Sequence, residues 1–144
     1  MHTTNLMVKK LSLNILSHDF KEISNALQLK LELLTQHVLL DQNLDRFTVN
    51  LKVVSSNEMI KLNTDFRSKE LDTNVLSFPA SKDMQKISGE LGDIVMSLPF
   101  IKRESQNLNR DLEDHMMHLL AHGILHLLGF DHAENKYANI MEAQ

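Results

Sequence analysis

The sequence predicts an α/β (α+β) fold, a single layered domain with a four-stranded mixed sheet covered by helices. The chain has 144 residues, the length of one domain with one hydrophobic core. Four short stretches show the composition and alternation of strands, and amphipathic helical segments lie between them. We find no internal repeat, low-complexity segment or linker, so the predicted domain takes in the whole of residues 1–144.

The first half of the chain predicts two strands and two helices. Apolar residues at every second position indicate a half-buried strand, and apolar residues three and four apart indicate one face of a helix. Polar residues that can cap a helix precede each helical stretch. The predicted elements are a strand over 9–16, a helix from Asp19 to about Leu40, a strand over 47–53 and a short helix, capped by Ser56 or Asn57, carrying residues 59–63.

The second half contains the strongest helix prediction. Pro79 ends the third strand because proline has no N–H to donate to a ladder, and Pro99 stands where the first turn of a helix tolerates it. Gly129 ends the main helix, since glycine adopts the left-handed conformation at little cost. The predicted elements are a strand over 74–78, a polar loop over 80–90, a strand over 94–97, a helix or extended loop over about 98–107, a helix over 110–128 and a last short helix over 134–142.

Composition excludes several classes of function. The chain has no Cys, which rules out disulfide scaffolds, thiolate nucleophiles and iron–sulfur clusters, so any metal must have nitrogen or oxygen ligands. The formal net charge is −4, which argues against the basic coat of a non-specific nucleic-acid binder. No apolar run could span a bilayer, and the N-terminus lacks the pattern of a secretory signal. We therefore expect a cytoplasmic protein with no membrane partner.

Most of the eight histidines cluster near the end of the sequence. His122 and His126 are four residues apart, which places both imidazoles on one helix face, close enough to share an ion. His132 follows Gly129, where the chain can turn back towards this pair. Three imidazoles with an open fourth position are typical of a catalytic zinc site. A competing triplet that starts at His118 spreads over about 12 Å of helix axis, too far for one ion.

The spacing of the three histidines matches that of the metzincin zinc peptidases. In those enzymes a Glu follows the first His and acts as general base, but Gly123 stands at that place here. Peptidase chemistry is therefore disfavoured, while hydrolysis by a metal-activated water stays open. Arg67 is the best candidate to bind an anionic substrate, because a guanidinium grips phosphate with a planar fork. From the sequence alone, a lone arginine is far more often a surface or salt-bridge residue.

Residues 122–132, HGILHLLGFDH, closely resemble the signature of the YbeY family of bacterial rRNA maturation factors. Two further segments, within 62–79 and 91–95, agree with that family in order and spacing, so the resemblance covers roughly residues 58–132. It implies a zincin-like fold with three histidines on a helix and the following turn. It also implies a single-strand-specific, metal-dependent endoribonuclease that acts in 3′-end maturation of small-subunit ribosomal RNA and in ribosome quality control.

The resemblance extends to individual residues. It implies one zinc-like ion per chain, held by His122, His126 and His132, and it implies catalytic roles for Arg67 and His122. The implied partners are single-stranded RNA, proteins of the small ribosomal subunit and an assembly GTPase, with no DNA. Ser68 departs from the family pattern, because many relatives carry Gly there, so the shape of that loop is open.

Two other functions remain as alternatives. The chain could be a non-catalytic ribosome assembly factor in which a structural metal fastens the last helix and turn. It could also be a metallopeptidase, the reading that Gly123 disfavours.

Overall fold

The computed structural model of the protein describes residues 11–17 and 20–130, which form four strands and five helices. In chain order these elements are β1 (Leu13–Leu16), α1 (Asn25–Asp41), β2 (Thr48–Val54), α2 (Ser56–Arg67), β3 (Val75–Pro79), α3 (Lys82–Ser88), β4 (Glu90–Ser97), α4 (Leu98–Asn107) and α5 (Leu112–Leu127). Within these residues we find no helix of the length and apolar character that a membrane span needs.

The strands form one mixed sheet in the order β1-β2-β4-β3, which confirms the predicted fold class. β1, β2 and β4 run parallel, whereas β3 runs antiparallel to β4 at one edge of the sheet. The parallel strands need crossover connections, and helices α1 and α2 lie in them. Among the described strands β3 pairs with β4 alone, so it is an edge strand. The candidate site forms beside this edge.

Apolar side chains cover both faces of the sheet. On one face, α1, α4 and α5 bury the main core, which includes Leu31, Leu51, Ile94, Ile101 and Leu120. On the other face, α2 packs a smaller cluster, which consists of Val54, Met59, Leu76 and Val95. Since α2 covers only part of its face, the rest of that face stays open and forms a groove.

One carboxylate is built into the main core. Glu32 of α1 is only 7% exposed, and its oxygens accept hydrogen bonds from the backbone N–H groups of Ser12 and Leu13 at 2.9 and 2.8 Å. A buried carboxylate is costly unless its lone pairs are satisfied. Here it satisfies two donors at the start of β1 and joins that strand to α1.

The structure corrects the predicted loop over 80–90, where α3 forms instead. Ser81 caps this helix by accepting a hydrogen bond from the Met84 N–H at 3.2 Å, and Gly89 ends it with φ of +75°. None of its residues is buried, so the sequence shows no apolar periodicity over this helix. The two capping residues, Ser81 and Gly89, are nevertheless of the types that begin and end helices. β4 correspondingly begins at Glu90, earlier than predicted.

Other boundaries moved by a few residues. α1 begins at Asn25, because Ser24 caps it by accepting from the Leu27 N–H, several residues later than predicted. Of the helix or extended loop predicted over about 98–107, the helix forms, as α4, and the helix predicted over 110–128 is confirmed as α5. The short helix predicted over 134–142 lies outside the described residues.

Two glycines let α5 approach the sheet closely. A Cβ on Gly92 would lie 2.5 Å from the Phe78 carbonyl oxygen and 2.9 Å from Cδ2 of Leu127, and its φ is +150°. A Cβ on Gly123 would lie 3.0 Å from Cδ1 of Ile94. The C-terminal half of α5 is thereby seated directly on the β3–β4 pair.

We expect Gly92→Ala to lower the free energy of unfolding by more than about 3 kcal/mol, because the methyl group collides with backbone that cannot move aside. Gly129→Ala is the matched control. Gly129 has φ of +83°, but a Cβ there meets nothing within 4 Å, so only backbone strain of about 1–2 kcal/mol is expected. Urea denaturation of both variants checks this. Equal losses would contradict the close packing at Gly92.

Candidate active site

Helix α5 places a histidine at the wall of a cavity. Asp111 caps the helix by accepting from the Asp114 N–H at 3.2 Å, and the helix then runs to Leu127. His126, in the last turn, is exposed and faces a cavity of about 480 Å³. The cavity is lined by Arg67, Val75, Ser77, Pro79, His126 and Gly129. The structure thus brings Arg67 and His126, far apart in the sequence, to one cavity.

His122 lies one helical turn before His126 and deeper in the protein. It is half-buried, and its ring centroid is 4.2 Å from that of His118, with the two rings tilted by 55°. Residues four apart on a helix have neighbouring side chains, so His122 and His126 occupy one face of α5. The third predicted ligand, His132, lies outside the described residues.

The chemistry of this donor set fits a divalent transition metal. Neutral imidazole is the ligand that suits zinc and its neighbours in the first transition row. Among residues 11–17 and 20–130, no three His, Asp or Glu side chains come together as a metal-holding group. Of the three predicted ligands, the described residues therefore contain two, His122 and His126.

Arg67 is held at the end of α2 by a well-defined cap. Ser68 adopts the left-handed conformation with φ of +56°, and its N–H bonds to the carbonyls of the preceding turn. The amide of Asn63, 5% exposed, donates to the Leu71 carbonyl at 2.8 Å and fixes the loop that follows. A left-handed residue at 68 also explains why Gly suits that position.

The guanidinium of Arg67 is available for a ligand. The residue is exposed, and within the described part of the chain it forms no ion pair. The salt bridge considered from the sequence is not found among the described residues. An exposed planar donor group at the edge of a cavity can hold an anion with two parallel hydrogen bonds.

Strand β3 forms the wall between the two candidate groups. Val75, Ser77 and Pro79 line the cavity, and the Ser77 hydroxyl donates to the Gly123 carbonyl at 3.4 Å. Sequence reasoning missed these residues, because their role depends on the antiparallel pairing of β3 with β4. No local motif at Ser77 could have indicated a contact with α5.

A buried polar cluster fixes the start of this wall. Oε1 of Glu104 accepts a hydrogen bond from Asn74 Nδ2 at 3.0 Å and lies 2.7 Å from Nε2 of His115. Asn74 Oδ1 accepts from the Val75 N–H at 2.7 Å. His115 is only 4% exposed. The cluster ties α4 and α5 to the first residue of β3.

The geometry also bears on Asp93 and Gly123. Asp93 lies on the sheet face away from α5, where its carboxylate accepts from Asn50 at 2.9 Å. Gly123 is buried and faces Ile94. A Glu side chain at that position would enter the core, so this helix has no room for the peptidase general base.

The fold and the site define the class of protein: an α+β domain in which His126, one of a helical pair of histidines, and Arg67 line the same cavity. The chain belongs to the YbeY family, because the family model described as Endoribonuclease YbeY matches residues 10–144.

Curated relatives agree with this assignment. A protein of Francisella tularensis subsp. tularensis, named Endoribonuclease YbeY, is 35% identical over 142 residues, 95% of this chain and 83% of the relative. Proteins of the same name from Dichelobacter nodosus and Buchnera aphidicola are 40% and 44% identical over 94 residues. These two matches span 65% of this chain and 61% of each relative's length.

A solved structure supports the fold. The solution structure of a Thermotoga maritima protein superposes with a TM-score of 0.59 at 26% identity, covering 83% of this chain and 74% of the other. This similarity concerns the arrangement of helices and strands.

We expect Glu104→Ala to lower the free energy of unfolding by about 2 kcal/mol, because it leaves donors of Asn74 and buried His115 without their acceptor. Glu113→Ala is the matched control. Glu113 pairs with Lys30 at 2.9 Å, with side chains 35% and 54% exposed, so its loss is expected to cost less than about 1 kcal/mol. Chemical denaturation measures both. A Glu104 variant no less stable than the control would contradict the cluster's role.

Proposed function

We propose that this protein is an endoribonuclease that cleaves single-stranded RNA at the cavity shared by Arg67 and His126. One observation carries the proposal: a guanidinium without an ion pair among the described residues and a helical imidazole line the same cavity. Membership of the YbeY family supports it, since curated relatives carry the name endoribonuclease. The cavity is open, as a site for a polymer must be.

We propose that His122, His126 and His132 hold one divalent ion, with zinc the best fit to three neutral imidazoles. Such an ion supplies Lewis-acid activation of water and of a phosphoryl oxygen at neutral pH. The two described histidines are held rigidly, because α5 is fixed on the sheet at Gly92 and Gly123. His122 has its catalytic role as a ligand, and His126 presents its ring to the substrate cavity.

Arg67 binds the phosphate that is cut. Its planar fork donates two parallel hydrogen bonds to non-bridging oxygens and stabilises the charge that grows as phosphorus becomes pentacoordinate. The left-handed cap at Ser68 and the Asn63 hydrogen bond keep the end of α2 fixed. Little reorganisation is then needed when the phosphate arrives.

The proposed biological substrate rests on the family resemblance. We propose that the RNA is the precursor of small-subunit ribosomal RNA, that cleavage matures its 3′ end, and that the protein serves ribosome quality control in the cytoplasm. Small-subunit proteins and an assembly GTPase are the proposed partners. A net charge of −4 suits a protein that is delivered to its RNA by partners better than one that binds RNA over its whole surface.

Arg67→Ala is expected to reduce cleavage of single-stranded RNA by at least about 100-fold while leaving metal content unchanged, because it removes a transition-state contact only. The matched control is Arg110→Ala, an exposed arginine that does not line the cavity. Cleavage of a labelled oligonucleotide and elemental analysis provide the two readouts. Loss of metal together with activity would make Arg67 structural and defeat its assignment.

His126→Ala is expected to abolish both metal binding and RNA cleavage, since two imidazoles seldom retain the ion that three hold. His37→Ala, an exposed histidine of α1, is the control and should retain about one metal per chain and full activity. Metal in the untreated protein without any cleavage, even with ribosomes present, would favour the assembly-factor alternative. A wild-type protein that binds no metal would overturn the three-histidine site.

A further inference from the structure

A second and larger cavity lies on the sheet face that α2 covers only in part. This groove has a volume of about 570 Å³, and strands β1, β2 and β4 form its floor while the last turn of α2 and β3 form one wall. We call it the sheet groove. The lining residues used below are Asn14, Asn50, Lys52, Phe66, Phe78 and Asp93.

Polar side chains form an ordered row across the floor of the sheet groove. Asn14, Asn50 and Asp93 are register partners on three adjacent strands. Asn14 Nδ2 donates to Asn50 Oδ1 at 3.0 Å, and Asn50 Nδ2 donates to Asp93 Oδ1 at 2.9 Å. The outer members, Asn14 and Asp93, are exposed. They present amide and carboxylate groups at fixed positions to whatever enters the groove.

Two aromatic rings form the wall. Phe66 is 65% exposed, although a large apolar side chain normally gains by burial. Its ring packs edge-on against that of Phe78, with centroids 5.2 Å apart and planes at 65°. Phe78 is the β3 register partner of Asp93, so the polar row ends at an aromatic ring. The contact positions the Phe66 ring while most of its surface stays exposed.

The sheet groove adjoins the candidate active site along the chain itself. Phe66 lines the groove and its neighbour Arg67 lines the catalytic cavity. Likewise Phe78 lines the groove and its neighbour Pro79 lines the cavity. The edge strand β3 and the end of α2 therefore line both cavities, with consecutive residues on either side. An extended polymer bound at Arg67 can reach both.

We propose that the sheet groove binds a nucleobase of the single-stranded RNA whose phosphate lies at Arg67, with the base stacked on Phe66 and its edge facing the polar row. This inference rests on the proposed function. Single-stranded RNA is recognised by bases that are splayed out, stacked on aromatic side chains and hydrogen-bonded at their edges. The groove supplies both kinds of contact on neighbouring residues.

The charges of the groove favour a base over the phosphate backbone. Its lining carries one cation, Lys52, and one anion, Asp93, so its formal charge is zero. A track for phosphates needs an excess of cations. A flat, uncharged ring with hydrogen-bonding groups at its edge matches an aromatic wall beside amides. The phosphate lies on the other side of β3, where Arg67 binds it.

The test is a double-mutant cycle in which the Phe66 ring, one nucleobase of the RNA, or both are removed. In the His126→Ala background, which prevents cleavage, binding of a short single-stranded RNA is measured by fluorescence anisotropy with and without Phe66→Ala. The same RNA is then used with a single abasic site moved along it. We expect Phe66→Ala to weaken binding of the intact RNA about tenfold. Where the abasic site falls in the groove, we expect Phe66→Ala to have no further effect.

Two variants control for general damage. Phe66→Tyr keeps a stacking surface and should restore binding, and Ile87→Ala removes an apolar side chain, 80% exposed, that does not line the groove. Additive losses from Phe66→Ala and every abasic position would overturn the inference while leaving RNA cleavage intact as a function. Concentration-dependent dimers abolished by Phe66→Ala would also overturn it and make the groove an interface between two copies. Failure of the wild type to cleave any RNA would instead refute the proposed function.

Discussion

The close seating of α5 on the β3–β4 pair is the constraint on which the rest of the site depends. It requires Gly92 and Gly123, because a side chain at either position would meet backbone or Ile94 within about 3 Å. The packing fixes the height of His122 and His126 above the sheet and brings Ser77 of β3 to the helix backbone. An arginine at the end of α2 then completes a cavity that no single element could form.

The polar groups of the described residues are of two kinds. Buried polar groups such as Glu32 and the Glu104 cluster are satisfied by hydrogen bonds and serve to join elements. Arg67 stands apart from them, because it is exposed at the cavity and forms no ion pair among the described residues. Polar groups that stabilise the fold are thus distinguishable from one that is available to a substrate.

The sequence predicts much of this structure, and its failures have physical causes. The mixed sheet, α5 and the shared helix face of His122 and His126 follow from local periodicity, which records what each element buries. α3 was missed because it buries nothing, and β3 was recognised as a strand without any sign that its Ser77 meets α5. The aromatic pair Phe66–Phe78 joins elements distant in the chain, so spacing alone could not reveal it. Arg67 was assigned to the candidate site from the family resemblance and from its position at the cavity. A lone arginine belongs to no sequence pattern that could have identified it.

The edge position of β3 couples the candidate site to the integrity of the whole domain. Its pairing with β4 holds one wall of the cavity, while Arg67 and His126 come from two helices far apart in the chain. Contacts of such long range form late in folding and are lost when an edge strand opens locally. A partly folded copy would keep much of its helical content and yet lack an assembled candidate site. Only a molecule with β3 docked presents Arg67 and His126 at one cavity, so completion of the fold and assembly of the site coincide.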